Sequence, residues 1–273
     1  MGAVKNPFAV STWSLHRKLG IAFENGPSDV APFKKVERWG AGEFTLAELP
    51  AILAAKGFYR CEICHFHLAG QSRSYLESMG ASFRKSGVVI QTLLIDDGDI
   101  SNPKTCERDM AWIAAWIEAA GFLGAENARV IAGRQKPTAA ALSLAIAGLK
   151  QLVGVGRQHN VRIVTENWFD LLSSPKEVHQ ILDGVEGLGF LADTGNWSGA
   201  HKYADLQSIF ARAELCHAKT GFGAGLKING DDFGACVKAA QAADYRGPYT
   251  LIFDDDGDEW QGVQAERDYV EAM

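Results

Sequence analysis

Arg162-Ile163-Val164-Thr165-Glu166-Asn167-Trp168 begins as an apolar, β-branched run and ends in a carboxylate, an amide and an indole. A short run of this kind reads as a buried strand whose last residues reach the edge of a sheet. The pattern recurs downstream. Phe190-Leu191-Ala192-Asp193 closes on an acid and continues as Thr194-Gly195-Asn196-Trp197. Leu215-Cys216-His217-Ala218-Lys219-Thr220 carries an imidazole and an amine, and Tyr249-Thr250-Leu251-Ile252-Phe253-Asp254 ends on another acid. Helical stretches separate these runs. Ser174-Pro175-Lys176-Glu177 supplies an N-cap, a proline at the first helical position and an acid in the first turn.

Working outward, residues 161–166, 189–193, 215–219 and 249–254 become strands five to eight. Phe8–Trp13, Tyr59–His65, Val88–Ile95 and Ala128–Ala132 become strands one to four. Helices are predicted over Thr45–Lys56, over about 105–120 with Met110, Ile113, Trp116 and Ile117 at helical spacing, and from Thr138 onward. A long Gly/Pro-punctuated stretch, Ser14–Phe44, follows strand one, and loops of that length usually serve function or act as lids. Eight strand–helix units without a break in composition predict an α/β fold, a single parallel (β/α)8 barrel over residues 1–273. A doubly wound open sheet is the structural alternative.

Composition narrows the partners. Of 273 residues, 47% are apolar, enough for a sizeable core, and 27 basic against 33 acidic residues give a net charge of -6. That balance argues against nucleic acid and against anionic membranes, both of which need a clustered basic surface. The five cysteines are odd in number and irregular in spacing, which fits free thiols in a reducing, cytoplasmic setting. Cys61 and Cys64 have a CxxC spacing, but strand alternation sends them to opposite faces. No stretch approaches the roughly 18 apolar residues expected of a membrane span, and Met1–Val10 lacks signal-peptide anatomy.

In a parallel barrel all strand C-termini meet at one face, so Glu166, Asp193 and His217 converge there from consecutive strands. Two carboxylates and an imidazole suit one divalent cation, Mn, Mg, Co or Zn. Each residue alone has a plainer reading: an acid after a strand is more often a turn former, and a lone histidine is more often a core residue. Lys219 shares the face of His217, where it would hold a substrate oxygen or pair with nearby acids. Trp13 and Trp168 offer flat faces to the apolar side of a sugar, or pack in the core. Arg134 follows strand four, to meet an anionic group or cap the next helix. Gly221-Phe222-Gly223-Ala224-Gly225 would let backbone approach a phosphate, or would be a flexible loop.

The chain resembles the xylose isomerase-like barrels that act as sugar phosphate isomerases and epimerases. The resemblance is carried by Ser11–Leu15, Cys61–Leu68, Ala128–Gly133, Thr165-Glu166-Asn167, Asp193–Trp197, His217–Thr220 and the approach Asp244–Tyr249. It implies a metal held by Glu166, Asp193, His217 and a glutamate on strand eight. That glutamate would fall at Ile252, and Asp254, two residues on and on the same face, is the nearest substitute. His65 and His67, expected on one face at the end of strand two, would bind substrate hydroxyls or be ordinary loop histidines, and the resemblance favours the former; Asn196, Trp13, Trp168 and Arg134 are the other candidate substrate contacts.

The activity implied is isomerisation or epimerisation of a small sugar, sugar phosphate or polyol ketone through an enediolate, with Glu166 and Lys219 as the acid–base groups. Ile252 removes the second carboxylate base. Three alternatives stand beside this activity: a lyase working through the same enolate, a sugar-binding relative without catalysis, and an endonuclease-IV-type repair enzyme. The last is disfavoured by the charge, by only seven histidines, and by Asn196 where the nuclease pattern has a histidine. Self-association into a homo-oligomer stays open.

Overall fold

Each apolar run folds into a short strand, and each strand is followed by a helix. In chain order these are β1 (Phe8–Ser11), α1 (Leu49–Ala55), β2 (Arg60–Cys64), α2 (Arg73–Lys85), β3 (Val89–Ile95), α3 (Cys106–Leu123), β4 (Asn127–Val130) and α4 (Ala139–Gln158). They continue with β5 (Arg162–Glu166), α5 (Pro175–Gly184), β6 (Gly189–Asp193), α6 (Lys202–Phe210), β7 (Leu215–Lys219), α7 (Gly230–Ala242), β8 (Tyr249–Ile252) and α8 (Glu259–Glu271). The computed structural model describes residues 7–29 and 32–273, so Met1–Asn6 of the stretch read against a signal peptide lies outside it. All eight strands are parallel. β1 pairs with both β8 and β2, closing the predicted barrel.

Several boundaries differ from the sequence reading: β4 ends at Val130 and not Ala132, α1 starts at Leu49 and not Thr45, and three further strand ends have a visible cause. β1 stops at Ser11, whose hydroxyl accepts the Trp13 backbone N–H and starts a 3-10 turn over Thr12–Leu15. β2 stops at Cys64, and His65–His67 form a second 3-10 turn. β8 stops at Ile252, where Ser14 intervenes: its hydroxyl donates to the Leu251 carbonyl and accepts the Phe253 N–H. Thr138, where the sequence reading began α4, caps it by accepting the Ala141 N–H, whereas the Ser174 hydroxyl, read as an N-cap, donates to Glu177 instead of capping backbone.

The expectation that no stretch is long and apolar enough to span a membrane needs correction. Helix α4 meets that test by length and composition, with a mean hydropathy of 1.5. Its apolarity has a local use, because Leu142, Ala145, Leu149 and Leu152 are buried in the main core.

The long segment after β1 is only partly loop. A helical turn, His16–Leu19, leads into an antiparallel pair, Ala22–Glu24 with Lys34–Val36, and brings Trp39 edge-on to Trp13 at 6.2 Å. Gly20 makes the turn possible: its φ is +68°, and a Cβ there would lie 2.3 Å from the Gly42 nitrogen. The glycines after β7 belong to a small hairpin, Phe222–Gly223 with Lys227–Ile228.

Most apolar side chains pack between barrel and helices in one core. A separate cluster, Val164, Leu191 and Leu215, lies apart from it. The cysteines are free, and Cys61 and Cys64 are both buried.

Candidate metal centre at the barrel mouth

Glu166, Asp193 and His217 end β5, occupy the end of β6 and sit mid-way along β7. The pairing of Asp193 with His217 in register, and of Glu166 with Leu191, brings them to one level of the mouth. One ligand atom from each lies within 4.8 Å of the others, and all three residues are buried. His217 turns Nδ1 toward Glu166 Oε1 at 3.4 Å and Asp193 Oδ2 at 3.5 Å. Its Nε2 lies 2.7 Å from Oε2 of Glu62, a fully buried carboxylate on β2.

The strand ends are tied down by side chains. The Asn167 amide donates to the Asp193 carbonyl at 3.0 Å and accepts the Asp193 N–H at 2.7 Å. Asp193 Oδ1 accepts the backbone N–H groups of Gly195 and Asn196, so its other oxygen faces the site. Asn196 donates to Glu166 Oε1 at 2.9 Å. Thr194 accepts the Lys219 N–H and donates to the Lys219 carbonyl, joining β6 to β7. A Cβ on Gly195 would lie 2.8 Å from Cδ of Lys219, so only glycine leaves that side chain its place.

Charge follows from these contacts. Burial alone would lower the His217 pKa, but the carboxylates of Glu62 and Glu166 outweigh it and hold the imidazole well above its ordinary value. Burial likewise pushes the Glu62 carboxyl up, and the His217 charge with hydrogen bonds from His217, Gln91 and Thr92 brings it below the usual range. Asp193 is lowered by the same contest, burial being outweighed by His217. Lys219 is pulled down by burial and raised further by Asp254, Asp193 and Glu166, so it is an ammonium at neutral pH.

Glu166, Asp193 and His217 open onto a cavity of about 210 Å³ that is also lined by Trp13, Trp168, Asn196 and Lys219. Ile252 lines it as well, at 4% exposure, next to Lys219 across the β7–β8 ladder. Asp254 lines its rim beyond the end of β8. Its carboxylate accepts the Lys219 ammonium at 2.7 Å and is not in the cluster of ligand atoms.

Other candidates sit elsewhere. His65 and His67 follow the end of β2, so strand alternation does not govern them, and Phe66 is the residue of that turn that lines the cavity. His65 accepts the Asp96 N–H and packs on Trp112 and Trp116. His67 meets the Thr12 hydroxyl at 2.9 Å, and burial pushes it down to about 3, so it is neutral. Arg134 donates to the carbonyl of Asp96 and to Asp97, and stacks over Phe169 outside the cavity.

Two residues were not singled out from sequence. Glu62 is one. The other is Arg129 on β4, buried, paired with Asp96, 3.3 Å from Glu166 Oε2 and under the Trp168 ring.

The donor set fits a divalent cation. It offers two carboxylates and, once His217 gives up its proton, an imidazole nitrogen; Glu166 Oε2 is buried without a hydrogen bond, its nearest charge being the Arg129 guanidinium at 3.3 Å.

A family model described as xylose isomerase-like TIM barrel matches residues 50–273. No curated protein matches. Among solved structures, an L-ribulose 3-epimerase superposes with a TM-score of 0.71 at 14% identity, over 98% of this chain and 94% of the other. A D-tagatose 3-epimerase-like protein gives 0.68 at 16% identity over 97% of each chain. A xylose isomerase-like TIM barrel protein from Mycobacterium smegmatis in complex with magnesium gives 0.68 at 16% identity, over 99% of this chain and 97% of that one. At these identities the likeness is one of fold.

Proposed function

The chain belongs to the xylose isomerase-like TIM-barrel family, and on that premise we propose that it is a metal-dependent isomerase or epimerase of a small carbohydrate. The observation that carries this reading is the convergence of Glu166, Asp193 and His217 Nδ1 at the mouth of a cavity of sugar size. A divalent cation held by these three would polarise neighbouring carbonyl and hydroxyl oxygens of the substrate.

The chain's own groups supply the rest. Glu166, which accepts a hydrogen bond from Asn196, is the carboxylate that would take a proton from the carbon beside the carbonyl. Lys219 is charged, so it donates a hydrogen bond or a proton to a substrate oxygen and does not serve as a base. Trp13 and Trp168 present flat faces to the sugar and exclude water. Asp254 keeps the Lys219 ammonium over the cavity.

Ile252 favours a second reading, a sugar-binding relative without catalysis, because it places an apolar wall where a second carboxylate would act. Two measurements separate the readings. Protein purified without chelator should hold about one divalent ion per chain, and L-ribulose or D-tagatose incubated with it in D2O should take up deuterium beside the carbonyl. Metal and sugar binding without any exchange across a ketose panel would favour the binding protein. Absence of metal after supplementation would reject the metal-dependent reading.

A further inference from the structure

The geometry points to Glu62 as a positioning residue that fixes the neutral His217 ring with its bare Nδ1 toward Glu166 and Asp193, its own orientation set by a chain of donors running back to Arg60. The inference rests on the cation reading above and concerns a residue on the far side of His217 from it.

The chain of contacts has one possible polarity. Arg60, at the start of β2, has only donors, and its Nε donates to Gln91 Oε1 at 2.8 Å. The Gln91 amide must therefore turn its oxygen to Arg60 and its nitrogen inward; the flipped amide would set donor against donor at Arg60 and oxygen against carboxylate at Glu62. That nitrogen donates to Glu62 Oε1 at 3.0 Å and to the Thr250 hydroxyl at 3.0 Å. Thr92 also donates to Glu62 Oε1, at 2.8 Å. Glu62 is fully buried, its first oxygen is occupied by two donors, and its second lies 2.7 Å from His217 Nε2. A carboxylate accepts there, at shorter range than the carboxylates 3.4 and 3.5 Å from Nδ1, so in the neutral ring Nε2 carries the hydrogen and Nδ1 keeps its lone pair.

A backbone irregularity builds the seat. Cys61 pairs with Ile90, but Glu62 pairs with Thr92, so Gln91 is an extra residue in the ladder. In a regular strand Gln91 and Thr92 would face opposite sides. The bulge lets both reach the same carboxylate. Arg60 is in turn paired with Glu126 at the opposite end of the strand from the mouth.

The test uses the full chain with 15N-labelled histidine, metal-free, at a pH above the His217 pKa. Long-range 1H–15N spectra report which ring nitrogen carries the proton, and the His217 signals are identified by their absence in His217→Gln. Mn2+ alone is then titrated by electron paramagnetic resonance. We expect a protonated Nε2 in the wild type. We expect Glu62→Gln to lose that bias and to bind Mn2+ on the order of 10- to 100-fold more weakly. Thr92→Val, which removes one donor and leaves the carboxylate, should lose affinity in the same direction by less. A wild-type ring protonated at Nδ1 overturns the inference whether or not any variant folds. So does a folded Glu62→Gln with unchanged tautomer and Mn2+ affinity. A wild type with protonated Nε2 that binds no Mn2+ sustains the hold of Glu62 on the ring and removes the cation reading.

Discussion

The part of the barrel filled by β5, β6 and β7 holds Val164, Leu191 and Leu215, whereas the part filled by β2, β3 and β8 holds Glu62, Gln91, Thr92 and Thr250. Both sets are buried, but they are held differently. The apolar side chains need only to fit, since burial itself stabilises them. The polar ones cost several kcal/mol each to desolvate unless every donor and acceptor is matched, and a barrel can do without them. Here the matching is directed at one histidine. Filling on one side serves stability, and filling on the other serves the orientation of a ligand atom.

The contrast can be broken most sharply at its end. His217→Ala should abolish retention of the divalent ion, measured by elemental analysis after desalting, because a three-ligand site has little redundancy. Undiminished metal in that variant would reject His217 as a ligand. Next comes Leu191→Ala on the apolar side. It should cost about 2–5 kcal/mol of stability in chemical denaturation while leaving Mn2+ affinity unchanged. A loss of affinity matching that at Glu62 would erase the distinction between the two sides.

Proton linkage gives a smaller effect with a definite sign. His217 is raised, so its contribution to stability is complete below the ordinary histidine value of 6.5 and fades as pH rises through its raised pKa. Glu62 and Asp193 are lowered, so theirs is complete above the ordinary values of 4.5 and 3.8 and fades as pH falls through the lowered ones. The metal-free protein should therefore lose Tm on both flanks. Mn2+ should bind more tightly as pH rises and His217 gives up its proton. An affinity that is flat across the alkaline flank would contradict the raised pKa. The smallest changes are expected at β8: Ile252→Glu should tighten Mn2+ binding modestly, and Asp254→Asn should alter it little. If Asp254→Asn removes the metal and Ile252→Glu does nothing, Asp254 is the fourth ligand.

The eight strands were legible because each is an apolar run bounded by turn chemistry. The convergence of Glu166, Asp193 and His217 was legible because parallel strands end at one face. Glu62 was not, although a usable signal was present: a charged residue in the middle of Arg60-Cys61-Glu62-Ile63-Cys64 is buried on whichever face it lies, and so demands a partner. The partner is 155 residues away in sequence, which no local pattern reveals. His65 and His67 were placed by strand alternation past the point where β2 gives way to a 3-10 turn. Asp254 was placed by the same rule past the end of β8, where Ser14, from the other end of the chain, takes over the backbone hydrogen bonds.

Trp13 and Trp168 line the cavity, while Trp116 and Trp197 are buried away from it. Indole emission shifts to shorter wavelength when water leaves the ring, so occupancy of the cavity is written into the intrinsic fluorescence of the chain. A sugar that fills the mouth changes the signal of these two rings. The variant carrying both Trp13→Phe and Trp168→Phe should lose most of the response to the same ligand, with Trp39 beside Trp13 left to report the remainder, which turns an unlabelled protein into its own screening assay.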